Sequence, residues 1–545
     1  MTAYLIVLYS ICGIYMLLNF KHDIHMLQQN SYRLSRYWRY LSKNDVASTW
    51  RMVDVAMIFI LLSRVLDFRL SIFLVALLSV YKIGSILRKK HKKPLVFTKR
   101  VWRIYVVTGC IAAGLFLWAV FILGFNPDAW GYYAGPTLTM SILLLMTIFS
   151  WFIVMLAVVI LMPVEKIINR KYWNEARKIL KSMPHLKVVG ITGSYGKTST
   201  KHFLERILSE KFDVVITPGS FNTTMGVIRT VREILKPYNN IFICEMGAKQ
   251  RGDIKEICQL VHPEIGIITA VGPMHLETFK SIENVQSTKF ELIDSLPSDG
   301  LAVVNDDFEF CKNRKVDNVK CVRYNTKQNP AEEEKNGKIV QSCLPDFWAE
   351  DIRYTTGGTS FRMKGKDGFD LELTTRLLGD CNVSNLMAAV IVAKAFGMDN
   401  EEIKRGVASI EPVEHRLSMK HTIGGVTILD DAFNSNPDGS RMALDVLKEF
   451  KGGKRIVVTP GMIELGSRQY ELNRNFGEHI AKSCDIAIIV GHYNRGAIQE
   501  GIEKGKFPGK LYEVDTFDEA QKLLTPMLQN GDTVLYENDL PDSFK

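Results

Sequence analysis

Val188-Val189-Gly190-Ile191-Thr192-Gly193-Ser194-Tyr195-Gly196-Lys197-Thr198-Ser199-Thr200 decides how this chain folds. A short β-branched strand runs into a glycine-rich turn, and Lys-Thr then opens a helix continuing through Phe203, Leu204, Ile207 and Leu208. A polyphosphate cradle needs that order. Thr192, Gly193, Ser194, Tyr195, Gly196 and Ser199 supply the turn and its backbone N–H groups, Lys197 a mobile cation, and the Thr198 hydroxyl a ligand for Mg²⁺. The spacing is tighter than G-x-x-x-x-G-K-[ST], since Gly193 lies only three residues before Gly196. The competing reading is a glycine-rich turn with an incidental lysine. Strand, turn, Lys-Thr and helix arriving together weigh against it, and the expected cofactors are ATP and Mg²⁺.

Downstream, β-rich apolar runs alternate with helical patterns. Val214–Thr217, Ile241–Cys244, Ile265–Ala270 and Leu301–Asn305 read as strands, and Pro330–Lys338 as a polar loop between strands. Val426–Leu429, Arg455–Thr459, Ile486–Val490, Leu511–Val514 and Thr533–Tyr536 read as a second, smaller set. Alternation of this kind predicts mostly parallel sheets covered by helices, with ligands at the strands' C-terminal ends. The expected domains are a membrane region at 1–163, a basic helical linker at 164–185, a central α/β ATP-binding domain at 186–411 and a Rossmann-like α/β domain at 412–545.

Upstream the chemistry changes. Residues 1–187 carry 24 Lys and Arg against 7 Asp and Glu, whereas the remainder carries 44 against 51. Basicity confined beside apolar segments signals membrane topology and argues against a nucleic-acid partner. Ala3–Phe20, Leu70–Leu87, Ile104–Phe125 and Leu138–Met162 each approach the ~20 apolar residues that cross a bilayer. Met52–Leu66 is shorter and carries Asp54 and Arg64. Five spans with the N-terminus outside put every strongly basic loop in the cytoplasm. Omitting Met52–Leu66 would place the two most basic loops on opposite sides. The expectation is a multi-pass protein of the cell membrane, its partner the lipid bilayer, with the ATP-binding domains cytoplasmic. The first segment lacks a basic n-region and a small-x-small cleavage site. A plain anchor and a lipid-binding or docking role both remain open. The cysteines are scattered without a C-x-x-C pair, as free thiols are, which excludes a disulfide framework or zinc site.

Three further residues stand at the C-terminal edge of the central sheet or close to it in sequence. Glu245 directly follows an apolar strand, where a phosphate-loop protein places a second Mg²⁺ ligand. His275 follows another strand, in Gly272-Pro273-Met274-His275-Leu276-Glu277. Lys289 reads by spacing alone as an ordinary helix-surface lysine.

Taken together, these motifs resemble the Mur ligase family, ATP-dependent peptide ligases of cell-wall precursor synthesis, and most nearly its D-alanyl-D-alanine-adding branch. The likeness spans about residues 186–540. It rests on T-G-S-Y-G-K-T-S-T at 192–200, S-F-N-T-T-M-G-V at 220–227, E-M-G-A at 245–248, H-L-E at 275–277, V-N-D-D at 304–307, G-D-C-N-V-S-N at 379–385, E-H-R-L at 414–417 and D-D-A-F-N-S-N-P at 430–437. The resemblance implies that a carboxylate attacks the ATP γ-phosphate to give an acyl phosphate. An amine then attacks the acyl carbon and expels phosphate. By position, Lys197 and the loop hold the phosphates. Thr198, Glu245 and His275 serve the metal, and Lys289 matches a lysine that many relatives carbamylate. Asn305, Asn382 and Asn385 fall in motifs near the nucleotide base and domain junction, Arg416 reaches ATP after closure, and Asp431 meets the nucleotide. Asn434 and Pro437 face the amine substrate, while Asn222, Thr223 and Thr224 approach the acyl acceptor.

Three departures stand out. The family's usual amino-terminal UDP-sugar domain is replaced by the membrane block. Cys381 occupies the place of a common histidine. Y-E-N-D-L-P-D-S-F at 536–544 stands where the murein enzyme has K-G-S-R. The expected substrates are therefore a membrane-associated, lipid-linked or polymeric carboxylate and an amino acid or dipeptide. Two alternatives are a poly-γ-glutamate-synthase-like polymerase and a nucleotide-binding, non-catalytic membrane scaffold. A transporter ATPase is disfavoured, since no ABC-type signature accompanies the loop.

Overall fold

The computed structural model describes residues 2–44, 49–62, 67–88, 94–124, 134–326, 333–335, 338–340, 345–355, 358–432 and 435–539. The chain divides into two compact units, one of residues up to Asn169 and one from Arg170 to Leu540.

The first unit is helical: Thr2–Gln29, Leu34–Asn44, Thr49–Leu62, Phe68–Arg88, Lys99–Gly124, Ala134–Ile148 and the start of Ser150–Lys181. Among the described residues, three helical stretches are long and apolar enough to cross a membrane: Arg69–Arg88, Lys99–Ile122 and Ser150–Lys181. Phe73, Leu77, Trp118, Phe121 and Phe152 each expose more than half their surface, which water would penalise and lipid would not. The apolar run Leu138–Met162, expected as one span, is carried by two helices that break at Phe149. Polar side chains gather at the break. Arg51 donates to the Ile148 carbonyl at 2.5 Å and pairs with Asp23 at 3.5 Å, and Ser150 Oγ donates to Asp23. Asp54 pairs with Lys82 at 2.6 Å and accepts from Tyr15 Oη at 3.0 Å. Each of these charges is almost wholly buried, so the charge that made Met52–Leu66 look a poor span is compensated inside the bundle. Arg64 lies outside the described residues.

The linker expected at 164–185 is the continuation of the helix Ser150–Lys181, whose later residues Tyr172, Trp173 and Ala176 pack into the second unit's core. That unit opens on β1 (Lys187–Thr192), the strand of the phosphate loop. Next come β2 (Val214–Ile216), β3 (Ile241–Glu245), β4 (Ile265–Ile268), β5 (Leu301–Asn305) and β6 (Lys320–Asn325). After them, β7 (Glu333–Lys335) and β8 (Lys338–Val340) pair as a small antiparallel ribbon where a polar loop was expected. β9 (Phe347–Thr355), β10 (Gly358–Gly365) and β11 (Asp370–Thr375) complete a nine-stranded sheet in the order β11-β10-β9-β6-β5-β4-β1-β3-β2. It is parallel from β2 to β9 and antiparallel beyond. Val189 and Ile191 pack on one face against Phe203, Leu204 and the helix Asp380–Ala395, and Val188 packs on the other. Covering both faces explains why the strands read as unbroken apolar runs.

β12 (Ser418–His421), β13 (Thr427–Asp431), β14 (Arg455–Thr459), β15 (Ile486–Val490), β16 (Lys510–Val514) and β17 (Thr533–Glu537) form a second sheet, ordered β12-β13-β17-β14-β15-β16. Only β12 is antiparallel. The expected boundary at 411/412 falls between the helix Asn400–Ala408 and β12.

The Asp54–Lys82 pair yields a prediction. Lys82→Met alone leaves a buried carboxylate and should cost about 3–5 kcal/mol, whereas Asp54→Leu with Lys82→Met should recover most of that. Thermal unfolding of the detergent-purified chain reads both.

Candidate active site

The loop between β1 and the helix Lys197–Leu208 is held from behind. Ser194 N donates to the Ala270 carbonyl at 2.7 Å, Gly272 N donates to Ser194 Oγ at 3.1 Å, and Thr269 Oγ1 donates to the Tyr195 carbonyl. Gly196 caps the helix with φ 76°, and a Cβ there would lie 2.3 Å from Asn385 Oδ1. Only glycine satisfies both the left-handed backbone and this approach. The helix carries no acidic residue in its first turn, which leaves its N–H groups and dipole for an anion.

Lys197 Nζ donates to the Gly193 and Ser194 carbonyls at 2.7 and 3.2 Å. Burial lowers its pKa to about 8, with Glu245 opposing the shift and Arg416 reinforcing it. At the end of β3, Glu245 is 1 % exposed. Its Oε1 accepts from Thr198 Oγ1 at 3.3 Å and Asn222 Nδ2 at 3.0 Å, and its Oε2 lies 3.1 Å from Lys201 Nζ. Burial alone would raise this carboxyl's pKa, but the Lys201 and Lys197 ammonium groups outweigh it and hold the group below the ordinary value. Lys201, absent from the sequence reading, is fully buried and donates to the Thr217 and Gly219 carbonyls at 2.8 and 3.0 Å. Its place four residues after Lys197, on the same helix face, was the available signal.

A cleft lined by Ser194–Ser199, Ser220, Asn222, Glu245, Met274, Arg416 and Asn436 gathers these groups from both α/β domains. Arg416 has its pKa lowered by burial, and Asp431 and Glu245 counter that shift. Of the three residues expected near the acyl acceptor, Asn222 lines the cleft. Thr223 caps the helix Thr224–Glu233, accepting from Gly226 N at 3.3 Å, and Thr224 Oγ1 donates to Glu256 at 2.6 Å. Pro437 is the first residue of its helix, capped by Asn436, which also faces the cleft. Asn434 lies outside the described residues.

Thr192 Oγ1 donates to the Met246 carbonyl at 2.8 Å. Asn305 Nδ2 donates to the Thr269 carbonyl and to Ser384 Oγ, both at 2.8 Å, and Asn382 Nδ2 donates to the Leu378 carbonyl at 2.9 Å. Asn385 Oδ1 accepts from Thr200 Oγ1 at 3.1 Å. In this structure all three asparagines are buried, and Asn305 and Asn385 brace the loop. Lys289, expected on a helix surface, is 4 % exposed. Burial pushes its pKa well below the ordinary lysine value, helped by the Lys197 charge. His275 has φ 53°, and its Nδ1 meets Glu464 of the second α/β domain.

Thr198 and Glu245 offer hydroxyl and carboxylate oxygens side by side, a donor set that suits Mg²⁺ completed by phosphate and water. Among the described residues no three His, Cys, Asp or Glu side chains cluster as a self-sufficient metal site.

Fold and cleft define an ATP-dependent ligase, in which a phosphate loop on one α/β domain meets an arginine carried by a second. Comparison with known proteins makes this specific. The Mur ligase middle domain matches residues 191–393, and the Mur ligase, glutamate ligase domain, matches 415–536. The chain belongs to the Mur ligase family. It is 28% identical over 363 residues to UDP-N-acetylmuramoyl-tripeptide–D-alanyl-D-alanine ligase of Bacillus subtilis, covering 64% of this chain and 72% of that one. Its fold matches MurF from Acinetobacter baumannii, at TM-score 0.60 and 24% identity over 68% of this chain and 77% of that one. It also matches MurF ligase from Thermotoga maritima in complex with ADP, at TM-score 0.57 and 24% identity over 68% and 80%.

Asp431 and Glu537 stand opposite each other on β13 and β17. Burial raises Asp431 to about 6, and burial together with Asp431 raises Glu537 well above the carboxylate range. The folded chain therefore keeps a proton that the unfolded chain releases near 3.8, so stability falls as pH rises through about 6. Thermal melts at pH 5 and pH 8 should show this fall, and Glu537→Gln, still able to accept from Ser435 and Ser440, should flatten it.

Proposed function

We propose that this ligase activates a carboxylate of a membrane-associated cell-envelope precursor as an acyl phosphate and joins it to the amine of an amino acid or dipeptide. The observation that carries the reading is one cleft lined by Lys197, the N-terminal turn of its helix, Arg416, Asn222 and Asn436. Joining two anions requires such cations and donors aimed at the transferring phosphoryl group.

The carboxylate oxygen attacks the γ-phosphorus and ADP leaves. Lys197, drawn from the loop carbonyls onto the phosphates, and Arg416 offset the charge on the equatorial oxygens. The amine nitrogen then adds to the acyl carbon, loses its proton, and phosphate departs with the C–O bond electrons. Mg²⁺ held by Thr198 and Glu245 would neutralise phosphate charge. Lys289 belongs to the same proposal. Its burial beside Lys197 favours the neutral amine, which adds CO₂ to give a carbamate and a proton. Three apolar helices in the same chain, together with the basic loops of the first third, support a membrane location with the ligase domains in the cytoplasm. Glu537 and its neighbours, in place of K-G-S-R, favour a substrate pair other than that of the murein enzyme.

Two measurements test this. Hydroxylamine should trap the acyl phosphate as a hydroxamate only with ATP present, and Lys197→Ala should lower turnover by about 10²–10³-fold. Mass spectrometry of membrane lipids and envelope precursors from cells lacking the protein should show a carboxylate short of one amino acid or dipeptide. A ladder of products from the purified chain would instead support a polymerase.

A further inference from the structure

The loop after β14, Pro460–Arg468, is held by four side-chain amides. Asn473 Oδ1 accepts from Met462 N at 2.9 Å, Asn494 Nδ2 donates to the Pro460 and Met462 carbonyls at 2.9 and 3.0 Å, Gln469 Oε1 accepts from Leu465 N at 3.1 Å, and Asn538 Nδ2 donates to the Gly461 carbonyl at 2.6 Å. From this fixed loop Glu464 projects at φ 63° and reaches His275 of the other α/β domain, itself at φ 53°. Two residues on, Gly466 lies against the backbone of Leu276 and Glu277, where an added Cβ would sit 3.2 Å from Glu277 N. Left-handed backbone at two non-glycine residues that meet across a domain junction is costly, and persists only where surrounding contacts enforce it.

Because a carboxylate only accepts, Nδ1 of His275 is the donor in this contact. A carboxylate behind a histidine is how proteins orient an imidazole toward a cation. We propose that Glu464 is the positioning residue of His275, and that it acts only when the second α/β domain is docked, so that docking and the readiness of His275 are one event. The proposal rests on the ATP-ligase reading of the cleft.

The test uses the full chain in detergent, with Glu464→Ala and the isosteric Glu464→Gln. Without nucleotide or metal, hydrogen exchange at residues 275–280 and 461–468 should quicken roughly tenfold in Glu464→Ala and much less in Glu464→Gln, whose amide oxygen still accepts. With ATP, the Mg²⁺ concentration for half-maximal turnover should rise about 10–100-fold in Glu464→Ala, while KM for ATP at saturating Mg²⁺ should barely move. Unchanged exchange at 275–280, or a lowered kcat with unchanged Mg²⁺ dependence, would overturn the proposal. Lys197→Ala serves as the separate control. If it turns over ATP as fast as the unaltered chain, the ligase reading itself fails, whatever Glu464 does.

Discussion

One ionised carboxylate in a dry place organises the cleft. Glu245 ends a strand buried on both faces, where an unpaired charge could not persist. Lys201 meets one oxygen, Thr198 and Asn222 the other, and Thr217 Oγ1 accepts from its backbone N–H at 3.0 Å. The first turn of the phosphate helix and the Asn222 loop are thus fastened to one anion. Gly247 permits this, because a Cβ there would stand 2.8 Å from the Asn222 side chain.

Local signals carried most of the architecture. β1, the turn and the Lys197 helix were legible because strand, glycine and helix each leave a short-range mark. The two sheets followed from apolar runs at regular spacing, and the free thiols from the scattered cysteines, for all eight described ones are unpaired. Of the residues lining the cleft, Glu245 was legible from its place after an apolar strand and Arg416 through the family motif. Long-range packing was not. Lys289 has the spacing of a surface residue, yet it is buried and feels the Lys197 charge. Glu464 lies 189 positions from His275, and no periodicity joins them. The break at Phe149 falls within a mostly apolar run, where Arg51 and Ser150 both meet Asp23.

The two α/β domains divide the work by residue type. The central domain contributes ammonium groups, a helix terminus and an anion. The second contributes Arg416, Asn436 and the amide-clamped loop that carries Glu464. The cleft has lining residues from both domains. Asp431 of the second domain acts on Arg416 and favours its charged form against the cost of burial.

Lys197 rests on the carbonyls of the very loop it serves. Freeing it forfeits charge-assisted hydrogen bonds worth about 1.5–3 kcal/mol each, so the loop guards its own cation against casual visitors. Under the proposed function, a short anion at the helix terminus alone would recover too little to release the lysine, whereas a triphosphate meeting the helix, Lys197 and Arg416 together would recover all three contacts. The resting cleft would then select ligands by length as well as by charge.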